Sequence, residues 1–81
     1  MRVNIRSSSS AITIPPFEVV VESDADVNRL KSLISVATGI EENSQRLIFS
    51  GSELENSKQL TEYEISDNSL VRYFIYPNYA N

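Results

Sequence analysis

The sequence predicts an α+β domain, with one helix packed on one face of a mixed sheet. Three observations carry this. Two stretches near the N-terminus alternate apolar and polar residues, the period-two signature of half-buried strands. From Val27 the period becomes helical, and the pattern stops at Gly39. Around Leu47 and Val71 the chain returns to strand-like apolar runs. The order strand, strand, helix, strand, strand, strand is met most economically by a helix covering one sheet face. The other face is left for water or a partner.

Composition sets the outer bounds. A chain of 81 residues makes one small domain. With 41% hydrophobic and 22% charged residues it is globular in balance, not disordered. It has no Cys, His or Trp. A disulfide framework, a thiolate nucleophile, a Cys/His zinc site and a His general base are therefore excluded. Eleven acidic against seven basic residues give a net charge of −4, which argues against nucleic acid as a partner. No apolar run approaches a membrane span, and no apolar core follows the charge of Met1–Arg6 as it would in a signal peptide. The expectation is a monomeric protein without cofactors, cytoplasmic and/or nuclear, not bound to membrane through this segment.

The elements follow in order. Met1, Val3 and Ile5 share one side of a first strand, with Arg2, Asn4 and Arg6 on the other. Ser7–Ser10 can bury nothing and reads as a connector; phosphorylation there is the sharper alternative. Pro15-Pro16 cannot donate to a ladder. Phe17–Glu22 is a second strand, with Phe17, Val19 and Val21 inward. The two form a hairpin around an unusually long connection.

Asp24 or Asp26 caps a helix predicted over residues 26–37. Its apolar stripe is Val27, Leu30, Ile34 and Ala37, with Leu33 beside it; Arg29, Lys31, Ser32 and Ser35 point elsewhere. Gly39 ends it by taking the left-handed conformation. Residues 40–44 form a loop in which the adjacent Glu41 and Glu42 belong to a solvated turn, not a catalytic pair. Gln45–Ser50 is a third strand, Gly51 a tight turn, and Ser52–Glu55 a short fourth strand with Leu54 inward. Leu60, Tyr63 and Ile65 anchor a polar crossing segment. Leu70–Tyr76 is the last strand. Its inward set is Val71, Tyr73 and Ile75, because the alternative buries Arg72 unpaired.

Gln45-Arg46-Leu47-Ile48-Phe49-Ser50-Gly51, followed by Leu54, Leu60, Tyr63 and Ile65 and preceded by Gly39-Ile40, resembles the second half of ubiquitin. From about Glu22 to Ile75 the two align without a gap, and the first hairpin matches in pattern with a longer connection. The resemblance implies a ubiquitin-like β-grasp fold, a mixed five-strand sheet on one helix in ββαβββ order. It places the ubiquitin-like domain at residues 1–76, with residues 77–81 as a tail or the start of a linker. It also implies that the Tyr63 hydroxyl bonds the backbone near Glu55, a structural role.

By the same resemblance Ile48, Arg72 and Phe74 occupy the positions of ubiquitin's main recognition patch, bordered by Arg46, Gly51 and Ser52. Strand parity independently points Ile48 and Phe74 away from the helix. Arg6, Arg46 and Arg72 share that outer face, which suggests a partner with an acidic rim. The patch departs from the family: Phe74 is larger than the usual aliphatic residue, and the loop leucine is replaced within Ser7–Ser10. Asn4 stands where the family has an aromatic, so that lesser surface is expected to be lost. Ile40 and Ile75, which with Pro77 resemble another lesser surface, are expected to pack locally.

The tail Tyr76-Pro77-Asn78-Tyr79-Ala80-Asn81 lacks the terminal glycines of a conjugated modifier, and no glycine follows Gly51. A non-catalytic binding domain is therefore expected in place of a tag. Its partners would be ubiquitin-receptor domains or proteasome subunits, in a shuttle or adaptor of the ubiquitin–proteasome system. The rival readings are a regulatory domain of a ligase or deubiquitinase, and a structural β-grasp module outside ubiquitin signalling.

Overall fold

The computed structural model describes residues 1–8 and 14–75. The strands are β1 (Arg2–Ser7), β2 (Phe17–Val20), β3 (Gln45–Phe49), β4 (Ser52–Glu53) and β5 (Leu70–Ile75), with one helix, α1 (Val27–Thr38). Short 3-10 turns cover Glu42–Ser44 and Leu60–Tyr63. The sheet order is β2-β1-β5-β3-β4. β1 and β5 are parallel, and the other neighbours antiparallel. This is the mixed five-strand α+β architecture that the periodicities and the resemblance both predict.

The core lies between α1 and one face of the sheet. Val3, Ile5, Leu47, Val71 and Tyr73 from the strands meet Val27, Leu30 and Ile34 from the helix, all fully buried. Asp26 caps α1 by accepting the Arg29 amide at 2.8 Å. Gly39, at φ 79°, returns its amide to the Ser35 carbonyl.

Several boundaries and faces differ from expectation. β1 continues through Ser7, which pairs in register with Tyr73; the rest of the predicted serine connector from Ser9 lies outside the described residues. β2 stops at Val20, although Val21 stays buried and its amide bonds the Met1 carbonyl at 2.8 Å. β4 ends at Glu53, with Leu54 buried beyond it.

On the helix, Lys31 is buried and Ala37 exposed, the reverse of the predicted stripe. Lys31 sits four residues after Val27 and three before Ile34, on the same face, and its long stem can lie along apolar surface. At the last turn the covered edge passes from Ala37 to the half-buried Thr38. Ile75 keeps the inward parity, opposite the buried Gln45, but is 39% exposed. It pairs with Gln45 at a level where β1, whose last partner for β5 is Tyr73, no longer flanks the sheet. Ile40 is half-buried against the core, as the local-packing expectation required. The predicted tail at 77–81 lies outside the described residues.

Candidate protein-interaction face

The candidate surface is the face of the sheet turned away from α1. Because strand side chains alternate, the burial of Leu47, Val71 and Tyr73 forces Arg46, Ile48, Arg72 and Phe74 to the opposite side. Register then sets their neighbours. One row crosses four strands: Arg6 opposes Arg72, Arg72 opposes Ile48, and Ile48 opposes Glu53. In the next row Arg46 opposes Phe74.

Ile48 and Phe74 point away from the helix and are half-buried, while Arg6 and Arg72 are exposed. One covering group is visible. The Arg46 guanidinium lies over the Phe74 ring, 5.3 Å from its centroid. The same guanidinium is held by Glu53, with its Nε donating to Oε2 at 3.1 Å. This hydrogen bond lowers the Glu53 carboxyl pKa below its ordinary value, and the nearby Arg46 and Lys31 charges act in the same direction. Glu53 thus fixes Arg46, and Arg46 braces the aromatic. The sequence signal for Glu53 was available in parity: if Leu54 points in, Glu53 points out.

Gly51 and Ser52 are only partly gathered in. Ser50 (φ 51°) and Gly51 (φ 82°) form the two-residue link between Phe49 and Ser52, with the positive-φ pair that a type I′ hairpin turn requires. Ser52 opposes Phe49 and shares the parity of the inner face, so it borders the patch through the turn alone. Leu70, 39% exposed, opposes Asn4 beside the patch. Asn4 donates to the Asn68 carbonyl at 3.1 Å.

A concavity lies elsewhere, where α1 meets β3 and β4. It is an open cleft of about 530 Å³ lined by Lys31, Asn43, Gln45, Glu53 and Asn56 among others. Gln45 anchors its wall: the side-chain amide donates to the carbonyls of Lys31 and Ile40, each at 3.1 Å. Burial lowers the Lys31 pKa, opposed by the charges of Glu53 and Glu42. The crossing segment is pinned as the resemblance implied, with the Glu55 amide donating to the Tyr63 hydroxyl at 2.8 Å. Among the described residues no acidic group of three or more is arranged to hold a metal ion, and no helix is long and apolar enough to cross a membrane.

Comparison with known proteins agrees with this fold. The ubiquitin family profile matches residues 3–77. The chain belongs to the ubiquitin family. It is 35% identical over 57 residues to Ubiquitin-like protein 4A of Oryctolagus cuniculus, an alignment covering 70% of this chain and 36% of that protein. The chain therefore aligns with about a third of that relative's length. In this ubiquitin-like module the sheet face opposite the helix carries both the apolar and the cationic residues that the resemblance singled out.

Proposed function

We propose that this is a non-catalytic protein-interaction domain that presents the Ile48–Arg72–Phe74 face to ubiquitin-receptor domains or proteasome subunits. Its setting would be a shuttle or adaptor of the ubiquitin–proteasome system, in the cytoplasm and/or nucleus. The observation that carries this reading is the composition of the outer row. A half-buried Ile and Phe lie side by side with arginines, on a face that α1 leaves uncovered. Phe and Arg are enriched at interface cores, and Lys is depleted there; neither lysine of the chain lies on this face. A short amphipathic helix in a shallow groove is the matching partner geometry. The small contact area suits weak, rapidly exchanging binding, on the order of micromolar to millimolar.

The test is affinity for a ubiquitin-interacting helix or a proteasome receptor subunit, measured for Ile48→Ala and Phe74→Ala. Each is expected to lose about 1–2 kcal/mol of binding or more while remaining folded. Arg46→Ala and Arg72→Ala are expected to act more on association rate and salt dependence. Unchanged affinity in both apolar variants would remove the patch from the binding site.

A further inference from the structure

Four of the seven basic residues, Arg2, Arg6, Arg46 and Arg72, lie on the outer face of the sheet. Two are neutralised where they stand, Arg2 by Glu18 at 3.3 Å and Arg46 by Glu53. The other two are register partners on adjacent parallel strands, Arg6 on β1 and Arg72 on β5, and both are exposed. Among the described residues no ion pair or hydrogen bond holds either guanidinium. Adjacent strands lie roughly 4.8 Å apart, so like charges are held side by side, an arrangement that costs stability. The chain carries eleven acidic residues, yet none answers this pair. Ile48 is the next residue in the row and Phe74 follows along β5.

We propose that Arg6 and Arg72 form a two-armed seat for a phosphomonoester carried by a phosphorylated serine or threonine of a partner protein. A neighbouring apolar side chain of that partner would rest on Ile48 and Phe74. The proposal builds on the assignment of this face as the partner surface and specifies the partner's chemistry. A phosphoserine carries a charge of about −1.5 to −2 near pH 7 and three acceptor oxygens, matching two guanidinium forks. A single carboxylate brings one negative charge against the two positive charges of the pair. A long polyanion fits poorly, because its flanking phosphates would meet Glu18 and Glu53 on the same face of a chain with net charge −4.

The experiment is an NMR titration of the 81-residue chain with a short peptide in which phosphoserine adjoins leucine. The same peptide with serine and with glutamate serves for comparison. The phosphopeptide is expected to shift Arg6, Arg72 and Ile48 and to bind about tenfold or more tightly than either control. That preference should fall between pH 7 and pH 5, as the phosphate loses its second charge near pH 6 while arginine does not titrate. Arg6→Gln and Arg72→Gln should each abolish the preference, with the urea midpoint unchanged or raised by relief of repulsion.

Equal binding of the three peptides, or a preference surviving both substitutions, would overturn the seat. So would a lowered urea midpoint in these variants, which would make the pair structural, or tighter binding of a single-stranded oligonucleotide through the same arginines. Phosphopeptide binding in a chain that ignores ubiquitin receptors keeps the seat and removes those receptors as partners. Receptor binding indifferent to both arginines and to phosphate does the reverse.

Discussion

On β5, Val71 and Tyr73 are fully buried against the helix side, while Arg72 and Phe74 face the other way. On β3 the same alternation buries Leu47 and turns Arg46 and Ile48 outward. One sheet therefore carries two surfaces built from interleaved residues of the same strands. The inner surface joins α1 in a core without charge, apart from Lys31 at its margin. The outer surface keeps apolar groups half-covered and arginines exposed. The difference teaches that a period of two lets stability and recognition be set by adjacent residues almost independently, because neighbours along a strand do not share a face.

The largest expected effect comes from the inner surface. Ile34 is fully buried on α1, and Ile34→Ala should cost about 2–5 kcal/mol in urea denaturation. Against the roughly 5–15 kcal/mol of a typical native protein, this would leave a marginal fold. The outer surface should respond in the opposite sense. Ile48→Ala and Phe74→Ala are expected to lose about 1–2 kcal/mol of partner binding, with a smaller loss of stability than Ile34→Ala in the same denaturation assay. If Ile48→Ala unfolded the chain as readily, the separation of the two surfaces would fail.

Two tyrosines sharpen the comparison. The Tyr63 hydroxyl accepts the Glu55 amide, and Tyr63→Phe should destabilise by about 0.5–1.5 kcal/mol. Among the described residues no protein group hydrogen-bonds the buried Tyr73 hydroxyl, and burial pushes its pKa up. Replacing it by the apolar ring of Phe removes a desolvated group, so Tyr73→Phe is expected to stabilise by about 1 kcal/mol. Thermal unfolding of the two variants should move in opposite directions.

Much of this was legible in the sequence. The parity of β1, β3 and β5 followed from Val3, Ile5, Leu47 and Val71, since a one-residue slip would have buried Arg72. The helix phase followed from Val27, Leu30 and Ile34, and its end from Gly39. What periodicity cannot give is depth. Lys31 falls outside the stripe that the apolar residues draw, yet its position between Val27 and Ile34 puts its stem on the covered face. Ile75 was set inside by parity, but its cover depends on where β1 ends, which is a property of the sheet and not of β5. In the candidate site, Ile48, Arg72 and Phe74 were placed on one face correctly. The stacking of Arg46 on Phe74 and its tether to Glu53 needed the register of three strands. The resemblance puts Ser52 at the border of the patch, whereas its pairing with Phe49 gives it the other parity.

The smallest expected effect belongs to that tether. The Arg46 hydrogen bond depresses the Glu53 carboxyl pKa in the folded chain. Its contribution is present above the ordinary carboxylate pKa, roughly 4.3, and is lost as pH falls through the lowered folded value. Glu53→Gln should therefore flatten the acid limb of the stability curve slightly. The change will be small and salt-sensitive, because the pair is largely exposed. A steeper acid limb in the variant would reverse the assigned sign.

The most direct test of a recognition surface on the outer face is a chemical-shift titration of the chain with a ubiquitin-interacting helix. Shifts clustered on Arg46, Ile48, Gly51, Arg72 and Phe74, and lost in Ile48→Ala, are the expected result. Saturable binding that instead maps to α1 near Lys31 and Ser35, and survives Ile48→Ala, would contradict it.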